Sequence, residues 1–560
     1  MEKVLLKKSA KKILLLGNEA IVRGALESGV KFVSTYPGTP ASEIGNTFFK
    51  IQNSKSKIQD LHFEFSTNEK VALEAAAGAS FSGLKSLVAM KHFGLNVASD
   101  FLIPLCYSGI KGGQVLVVAD DPSCWSSAQS EQSTRAFAYL AHIPILEPSD
   151  PQECKEFTKL AFQLSEKFKI PIMLRETTRV ALQTAPVKLG KIVRGKTKAK
   201  FVKDPHRFST MPPRVLEMKR ELLEKIEKIK RVSEKSPLNQ IHRGRVSGKS
   251  KMGIITSGIS YLYVIEALKE LNLEIPVLKL GFFYPLPEKK IQQFIKSLKK
   301  VLVVEELEPF LEKEVERLAK DINPLVEIFG KNLLSEIGEL KPEDVILALT
   351  RFSNKKPKFN FTNHLKKFQN LKLKKRFPQL CPGCPYWLIF QSVKRAAPKG
   401  TIFGGEIGCY MLAAYPPHYL QDYLFCMGSS AGIAHGIKKA LRRGSDETEK
   451  QKVIAFVGDS SFFHAGIPAL INTVYNKSNP LIIIMDNKTT AMTGQQPHPG
   501  APAEDKGIEI EDIVRAVGVK NVKVIDPVNL RELEKTVKEF LNKKEVSVII
   551  ARRPCIQISK

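Results

Sequence analysis

At 560 residues the chain has room for about three domains of roughly 150–200 residues each. Its composition, 43% hydrophobic and 26% charged, is that of a globular protein. No apolar run approaches the ~20 residues that cross a bilayer, and the ILLL run near the amino end is too short for a signal peptide and has no small-residue cleavage site after it. These absences argue against membrane and secreted classes. Eight cysteines then point to a reducing cytoplasm and to metal or redox use. The net charge of +29 leaves two readings open, a lysine-rich solvated surface or a basic face that steers acidic partners.

Residues 1–186 predict one α/β domain. KILLLGNEAIVRGALESG reads as strand, turn and helix. KFVSTYPGTPASEIGNTF repeats that order around the turn Tyr36 to Pro40, which puts Thr39 at a strand end with its hydroxyl free. From Glu69 the Ala- and Glu-rich run favours a helix, and the helix dipole alone would favour a carboxylate at that start. Glu74 competes with Glu69 for any buried carboxyl role. The strand SLVAM runs into Lys91-His92-Phe93-Gly94, so His92 sits at a strand end, as a substrate contact or as a satisfied structural histidine. Arg135 could receive a substrate carboxylate, although an arginine on a helix is usually solvated.

Residues 187–251 are rich in Lys, Arg and Pro and predict a basic linker carrying one solvated helix, RVLEMKRELLEKIEKIKRV. Without aromatic interleaving that stretch gives no support to nucleic-acid binding. Residues 252–350 resume the α/β rhythm with three strand–helix pairs and predict a small doubly wound domain in which nothing looks catalytic. A second basic linker, 351–377, leads into the last domain, 378–560.

That domain opens with CPGCPYW, in which Cys381 and Cys384 share a turn. Cys409 follows in GGEIGCY, Cys426 in FCMGSSAG and Cys555 in ARRPC. Such a set admits a [4Fe–4S] cluster, a zinc site or a dithiol. GGEIG (Gly405, Gly408), GSSAG (Gly428) and GDS (Gly458 to Ser460) are glycine-rich turns before helices, able to aim backbone N–H groups at a diphosphate. Val453 to Val457 reads as a buried strand broken by GDS, and Leu481 to Met485 as a second strand ending in Asp486-Asn487. Parallel pairing through a crossover helix puts Asp459 and Asn487 at neighbouring carboxyl ends, where ligands bind in open α/β sheets. A carboxylate, an amide oxygen and a backbone carbonyl from the next turn suit a Mg²⁺ that also holds a diphosphate.

The strand–GD–N layout resembles the thiamine diphosphate motif. GDSSFFHAGIPALINTVYN together with DNKTTAMTGQQPHPG is similar to the α subunit of indolepyruvate ferredoxin oxidoreductases, and YPGTP matches the YP-x-TP turn of the wider thiamine diphosphate-dependent 2-oxoacid:ferredoxin oxidoreductase family. The resemblance spans nearly the entire chain. It implies an α/β fold of three doubly wound, transketolase-like domains with mainly parallel sheets. They are a pyrimidine-binding domain over 1–186, a transketolase C-terminal-like domain over 252–350 and a diphosphate-binding domain over 378–560.

The same resemblance implies thiamine diphosphate held with Mg²⁺ by Asp459, Asn487 and the Thr489 carbonyl, with Gly405, Gly408, Gly428, Gly458, Ser460 and His464 around the cofactor. It implies Thr39 and His92 facing the substrate. Glu69 is preferred to Glu74 for the N1′ position of the aminopyrimidine, because Gly78 follows it at the family's interval; a carboxyl buried there shares a proton with the ring. The implied [4Fe–4S] ligands are Cys381, Cys384, Cys409 and Cys555, with Cys426 as the rival fourth.

The implied reaction is oxidative decarboxylation of arylpyruvates, of the indolepyruvate and phenylpyruvate type, to aryl-acyl-CoA with electrons passed to ferredoxin in the cytoplasm. The implied partners are a smaller β subunit and a ferredoxin or separate ferredoxin-like subunit, since the family's C-x₂-C-x₂-C-x₃-C-P runs do not occur before Lys560. An α-chain dimer within a hetero-oligomer is expected, with neither membrane nor nucleic acid involved. Two other classes compete: a non-oxidative thiamine diphosphate decarboxylase or synthase, and a zinc-bearing basic nucleic-acid-binding protein.

Overall fold

SLVAMK and QVLVVAD lack polar alternation, and each is buried along its whole length as a strand, the signature of a parallel sheet covered on both faces. The computed structural model describes residues 6, 11–54, 58, 60–126, 129–195, 198–242, 251–355, 363, 366–367, 370–371, 374, 376–442, 450–504 and 506–558. The chain forms two units, Met1–Lys372 and Leu373–Lys560. Among the described residues no helix is long and apolar enough to cross a membrane.

In the first unit β1 (Lys12–Leu16) pairs antiparallel with β8 (Thr184–Lys188). A seven-stranded sheet contains β2 (Phe32–Thr35), β3 (His62–Phe65), β4 (Ser86–Lys91), β5 (Gln114–Asp120), β6 (Ile145–Leu146), β7 (Ile172–Thr177) and β12 (Phe282–Tyr284), in the order β12-β6-β7-β5-β4-β2-β3. All pairings are parallel except that of β12 with β6. The chain leaves β2 for the edge strand β3 and returns across β2 to β4. The crevice beyond the carboxyl ends of β2 and β4 is therefore a topological switch point.

A five-stranded sheet has the order β14-β13-β10-β11-β9, built from β9 (Asn239–His242), β10 (Met252–Ser257), β11 (Val277–Leu280), β13 (Lys300–Val304) and β14 (Glu327–Phe329). β12, from the 252–350 stretch, pairs with β6 at the edge of the seven-stranded sheet. The basic stretch before them is also more ordered than its charge suggests. In the helix Arg214–Lys235, Met218, Leu222, Ile226 and Ile229 recur every three or four residues and are buried, so one face packs while the lysines and glutamates cover the other. β9, just downstream, pairs antiparallel with β11. Alternating charge here marks an amphipathic helix rather than a solvated one.

The second unit holds one wholly parallel six-stranded sheet in the order β16-β15-β17-β18-β20-β19. Its strands are β15 (Ile402–Gly405), β16 (Tyr423–Leu424), β17 (Val453–Gly458), β18 (Leu481–Asp486), β19 (Asn521–Ile525) and β20 (Ser547–Arg552). Ile454 and Phe456 join the core on one face, while Val453, Ala455 and Val457 join the core on the other. The chain goes from β15 out to β16 and back to β17, which makes a second switch point beyond Gly405 and Gly458.

Candidate active site residues of the two units

In the second unit β17 ends at Gly458 and the chain turns at once into helix, so the Asp459 side chain stays buried at the sheet edge. One Asp459 oxygen accepts the Ser460 N–H at 2.8 Å, and the other lies 3.1 Å from His498 Nε2. β18 runs parallel beside β17, and Asn487 follows it directly. The Asn487 side-chain oxygen accepts the Thr489 N–H at 3.1 Å, and Thr490 and Ser460 join their hydroxyls across the gap at 3.0 Å. Asp459, Ser460, Asn487 and Thr489 are all buried in this one place. His464 is buried in the Phe462–Gly466 turn, a one-residue widening of the helix that follows Asp459.

The charge balance of this pocket favours a cation. Burial, and after it the charge of Asp459, raises the Asp486 carboxyl above its ordinary value although Arg552 Nε lies 2.6 Å away. Lys488 and Arg552 both pair with Asp486, which leaves Asp459 and the Asn487 amide as the hard oxygen donors suited to Mg²⁺.

Glu406, which the sequence reading passed over, ties the switch point together. Its carboxylate accepts the Gly428 N–H, the Gly458 N–H at 3.2 Å and the Tyr410 hydroxyl at 2.6 Å. Burial pushes Glu406 up to about 8 against the pull of Tyr410. The amides of Gly428 and Gly458, expected to face a diphosphate, are turned to this carboxylate instead. Gly405 and Gly408 flank Glu406 in the same turn, and Gly428, at φ 78°, starts the helix Ser429–Leu441. The only sequence signal for Glu406 was a lone carboxylate at a strand's carboxyl end between glycines; for His498 it was a histidine between two prolines.

Four of the cysteines influence one another. The Cys384 N–H donates to the Cys381 carbonyl at 3.0 Å, which closes the CPGC turn. Burial pushes the Cys384 thiol up to about 11, and Cys381 and Cys555 add to it. Burial pushes Cys409 up to about 12, with further contributions from Cys384, Cys555 and Cys381. The rival Cys426 is exposed and is not among those contributors. Among the described residues no group of three His, Cys, Asp or Glu side chains is placed to hold a metal ion. Cys555 is also tied to the oxygen-donor pocket, because its N–H donates to the Asn487 carbonyl at 3.0 Å.

In the first unit Glu69 opens the helix Glu69–Phe81, with Asn68 accepting the Val71 N–H at 2.9 Å as its cap. Glu69 is only 6% exposed. The Glu74 side chain is 41% exposed and lies 3.9 Å from Lys70, on the solvent face. A Cβ on Gly94 would stand 2.4 Å from Glu69 Cγ, so glycine lets the start of the next helix, His92–Ser108, close directly onto Glu69.

His92 is fully buried, with Nε2 3.2 Å from the Ser130 carbonyl, and burial lowers its pKa, so the ring is neutral. The Thr39 hydroxyl lies 3.3 Å from that of Ser42, in the loop that leaves β2. Arg135 has a different place from the one its sequence context suggested. Its guanidinium is buried, held by Glu147 at 2.7 Å and Glu305 at 2.6 Å and stacked 4.2 Å from the Phe283 ring. Three of its N–H groups donate to these two carboxylates, which fixes the guanidinium in a buried ion-pair cluster.

Family models match along the chain in this order. Residues 23–233 match the thiamine diphosphate-binding domain of pyruvate flavodoxin/ferredoxin oxidoreductases, and residues 242–348 the indolepyruvate oxidoreductase domain. Residues 406–551 match the C-terminal thiamine pyrophosphate-binding domain of thiamine enzymes. The chain is 45% identical to the indolepyruvate oxidoreductase subunit IorA of Methanothermobacter marburgensis, over 97% of this chain and 87% of that one. It is 43% identical to IorA of Pyrococcus horikoshii, over 99% of this chain and 87% of that one. A solved 2-oxoglutarate:ferredoxin oxidoreductase from Magnetococcus marinus aligns with a TM-score of 0.49 at 19% identity, covering 61% of this chain and 65% of that chain.

Proposed function

The chain belongs to the indolepyruvate oxidoreductase IorA family of thiamine diphosphate-dependent 2-oxoacid oxidoreductases, and from that premise we propose that it oxidatively decarboxylates arylpyruvates to aryl-acyl-CoA, with electrons passed to ferredoxin. As the family's name for such a chain is a subunit, a smaller second subunit completes the enzyme. Thiamine diphosphate, when bound, supplies the carbanion for attack on the keto carbon and the ring that accepts the electron pair left by CO₂.

The protein's own groups bind, orient and move protons. Asp459, Asn487 and the Thr489 carbonyl would hold Mg²⁺, which would anchor the diphosphate. His498 orients the Asp459 carboxylate through the Nε2 contact, as second partners do for metal-binding carboxylates. Glu69 holds a proton at N1′ of the aminopyrimidine, a role that its burial and its seat against Gly94 suit. Cys381, Cys384, Cys409 and Cys555 would hold a [4Fe–4S] cluster, which would supply one-electron redox chemistry.

One observation carries the oxidative reading over a plain decarboxylase. The four-thiol group is fastened to the Asp459–Asn487 pocket through the Cys555 N–H to Asn487 carbonyl hydrogen bond, so a redox centre would share a scaffold with the thiamine site. A decarboxylase protonates its intermediate and has no use for that neighbour.

The test is anaerobic purification with the second subunit, iron, sulfide and thiamine analysis, and viologen reduction with arylpyruvate and CoA. Cys409→Ser is expected to lose iron and viologen reduction while keeping thiamine. A colourless, iron-free protein that releases aryl aldehyde would instead establish the non-oxidative class.

A further inference from the structure

A 2-oxoacid carries a carboxylate that an enzyme must hold before the adjoining C–C bond can break. Arg135 is spent on two glutamates, which leaves open which cation does so. Among the described residues, a second buried cation, Lys91, lies at the switch point of the first unit. β2 and β4 run side by side in register, Thr35 opposite Ala89. From β2 comes the loop bearing Thr39, and from β4 come Lys91 and His92.

Lys91 is only 5% exposed. Its Nζ donates to Asp121 Oδ2 at 2.8 Å and to Ser126 Oγ at 2.9 Å, and Ser126 Oγ lies 2.9 Å from the Thr39 carbonyl. Asp121 is itself fixed by the Thr178 hydroxyl at 2.7 Å and the Ser126 N–H at 3.0 Å. A Cβ on Gly38 would stand 2.9 Å from Lys91 Cβ, so the Thr39 loop lies directly on this lysine. Around it Gly38, Thr39 and Phe93 are half-buried, and the Phe93 ring centroid is 5.2 Å from Nζ. Buried His92 Nδ1 has no hydrogen-bond partner among the described residues.

An ammonium has three donors, and two here are taken. Burial lowers the Lys91 pKa while Asp121 works to keep the charge. The result is a rigid, pre-oriented cation near the Thr39 hydroxyl, which shares a hydrogen bond with Ser42, and an aromatic ring, a set suited to the carboxylate, keto oxygen and aryl group of one molecule.

We propose that Lys91 takes the C1 carboxylate of the 2-oxoacid substrate, assisted by the Thr39 hydroxyl, and that Asp121 and Ser126 hold its ammonium in position. This rests on the reading that the chain acts on 2-oxoacids.

The experiment uses the assembled holoenzyme and two inert competitors, a 3-arylpropanoate and the matching 3-arylpropanamide, which lacks the charge. Lys91→Gln removes the charge and shortens the side chain by one bond while keeping an amide N–H on the side of Asp121 and Ser126. It is expected to raise KM for arylpyruvate and Ki for the arylpropanoate by at least about ten-fold, leaving the amide's Ki and the bound thiamine unchanged. Lys91→Arg is expected to recover most of the carboxylate preference. An unchanged preference, or equal loss of both competitors, overturns the proposal.

If Lys91→Gln does not assemble, Ser126→Ala carries the test by freeing Nζ; it is expected to lower the carboxylate preference by a smaller factor, and an unchanged preference counts against Lys91. Wild-type enzyme that turns over no arylpyruvate at all would instead overturn the function on which this rests.

Discussion

At the scale of single residues the second unit depends on carboxylates that do not serve as ordinary surface charges. Glu406 joins the turns after β15 and β17 and the start of the Ser429–Leu441 helix, three segments far apart in sequence. Glu406→Ala would remove the acceptor of the Gly428 and Gly458 amides, at about 1–3 kcal/mol for each lost bond, while the Tyr410 hydroxyl keeps the Ile407 carbonyl. The expected outcome is at least a ten-fold weaker apparent affinity for thiamine diphosphate by calorimetric titration, because Gly458 and Asp459 lose their anchor. In the first unit, Glu69→Gln is expected to cut turnover by about 10²–10⁴ while thermal stability and thiamine content hold, since proton transfer at one position is worth that much. A fall in thiamine content alongside turnover would make Glu69 a structural residue.

At the scale of elements the Arg214–Lys235 helix is the instructive case. Its lysines and glutamates dominate the composition, yet a sparse apolar stripe decides its position. Leu222 and Ile229 are both buried among first-unit core residues. Leu222→Ala is expected to destabilise the first unit by about 2–4 kcal/mol, read as a lower urea midpoint at constant slope, because a buried leucine leaves a cavity. A change within about 0.5 kcal/mol would mean that the helix is solvated after all, as surface substitutions behave.

At the scale of the whole molecule a buried charge cluster sets how the first unit responds to pH. Burial tends to raise Glu147, but Arg135 and Arg175 outweigh it and hold the carboxyl at about 2. Its folded pKa is depressed, so its stabilisation is complete above the ordinary value of 4.5 and is lost as pH falls from there toward 2. Glu306 is the opposite case, pushed up to about 7 by burial, with Arg175 pulling against it. Its contribution is complete below 4.5 and is lost as pH rises through 7. Each is worth up to about 3 kcal/mol. Calorimetry is expected to show the first unit's melting temperature falling on both sides of this cluster's optimum, and Glu306→Gln is expected to flatten the decline between pH 5 and 7. A variant that follows the wild-type curve there would place the proton elsewhere.

The sequence by itself determined the α/β class and the mainly parallel sheets, because short β-branched apolar runs bounded by turn residues and alternating with helical segments fit strands buried on both faces. It also determined where the oxygen-donor turn and the cysteine turns fall, since spacing along one strand–turn–helix unit is local information. Tertiary structure alone decided the rest. That Glu69 is buried while Glu74 faces solvent depends on Gly94, which lies on another helix. That Arg135 is spent depends on Glu147 and on Glu305, which lies in a different sheet region of the chain. That Cys555 rather than Cys426 neighbours Cys384 and Cys409 depends on how strands β18 and β20 pair. The physical reason is common to all three: burial and electrostatic partnership are properties of through-space neighbours, and a linear pattern records only which groups are available, not which ones meet.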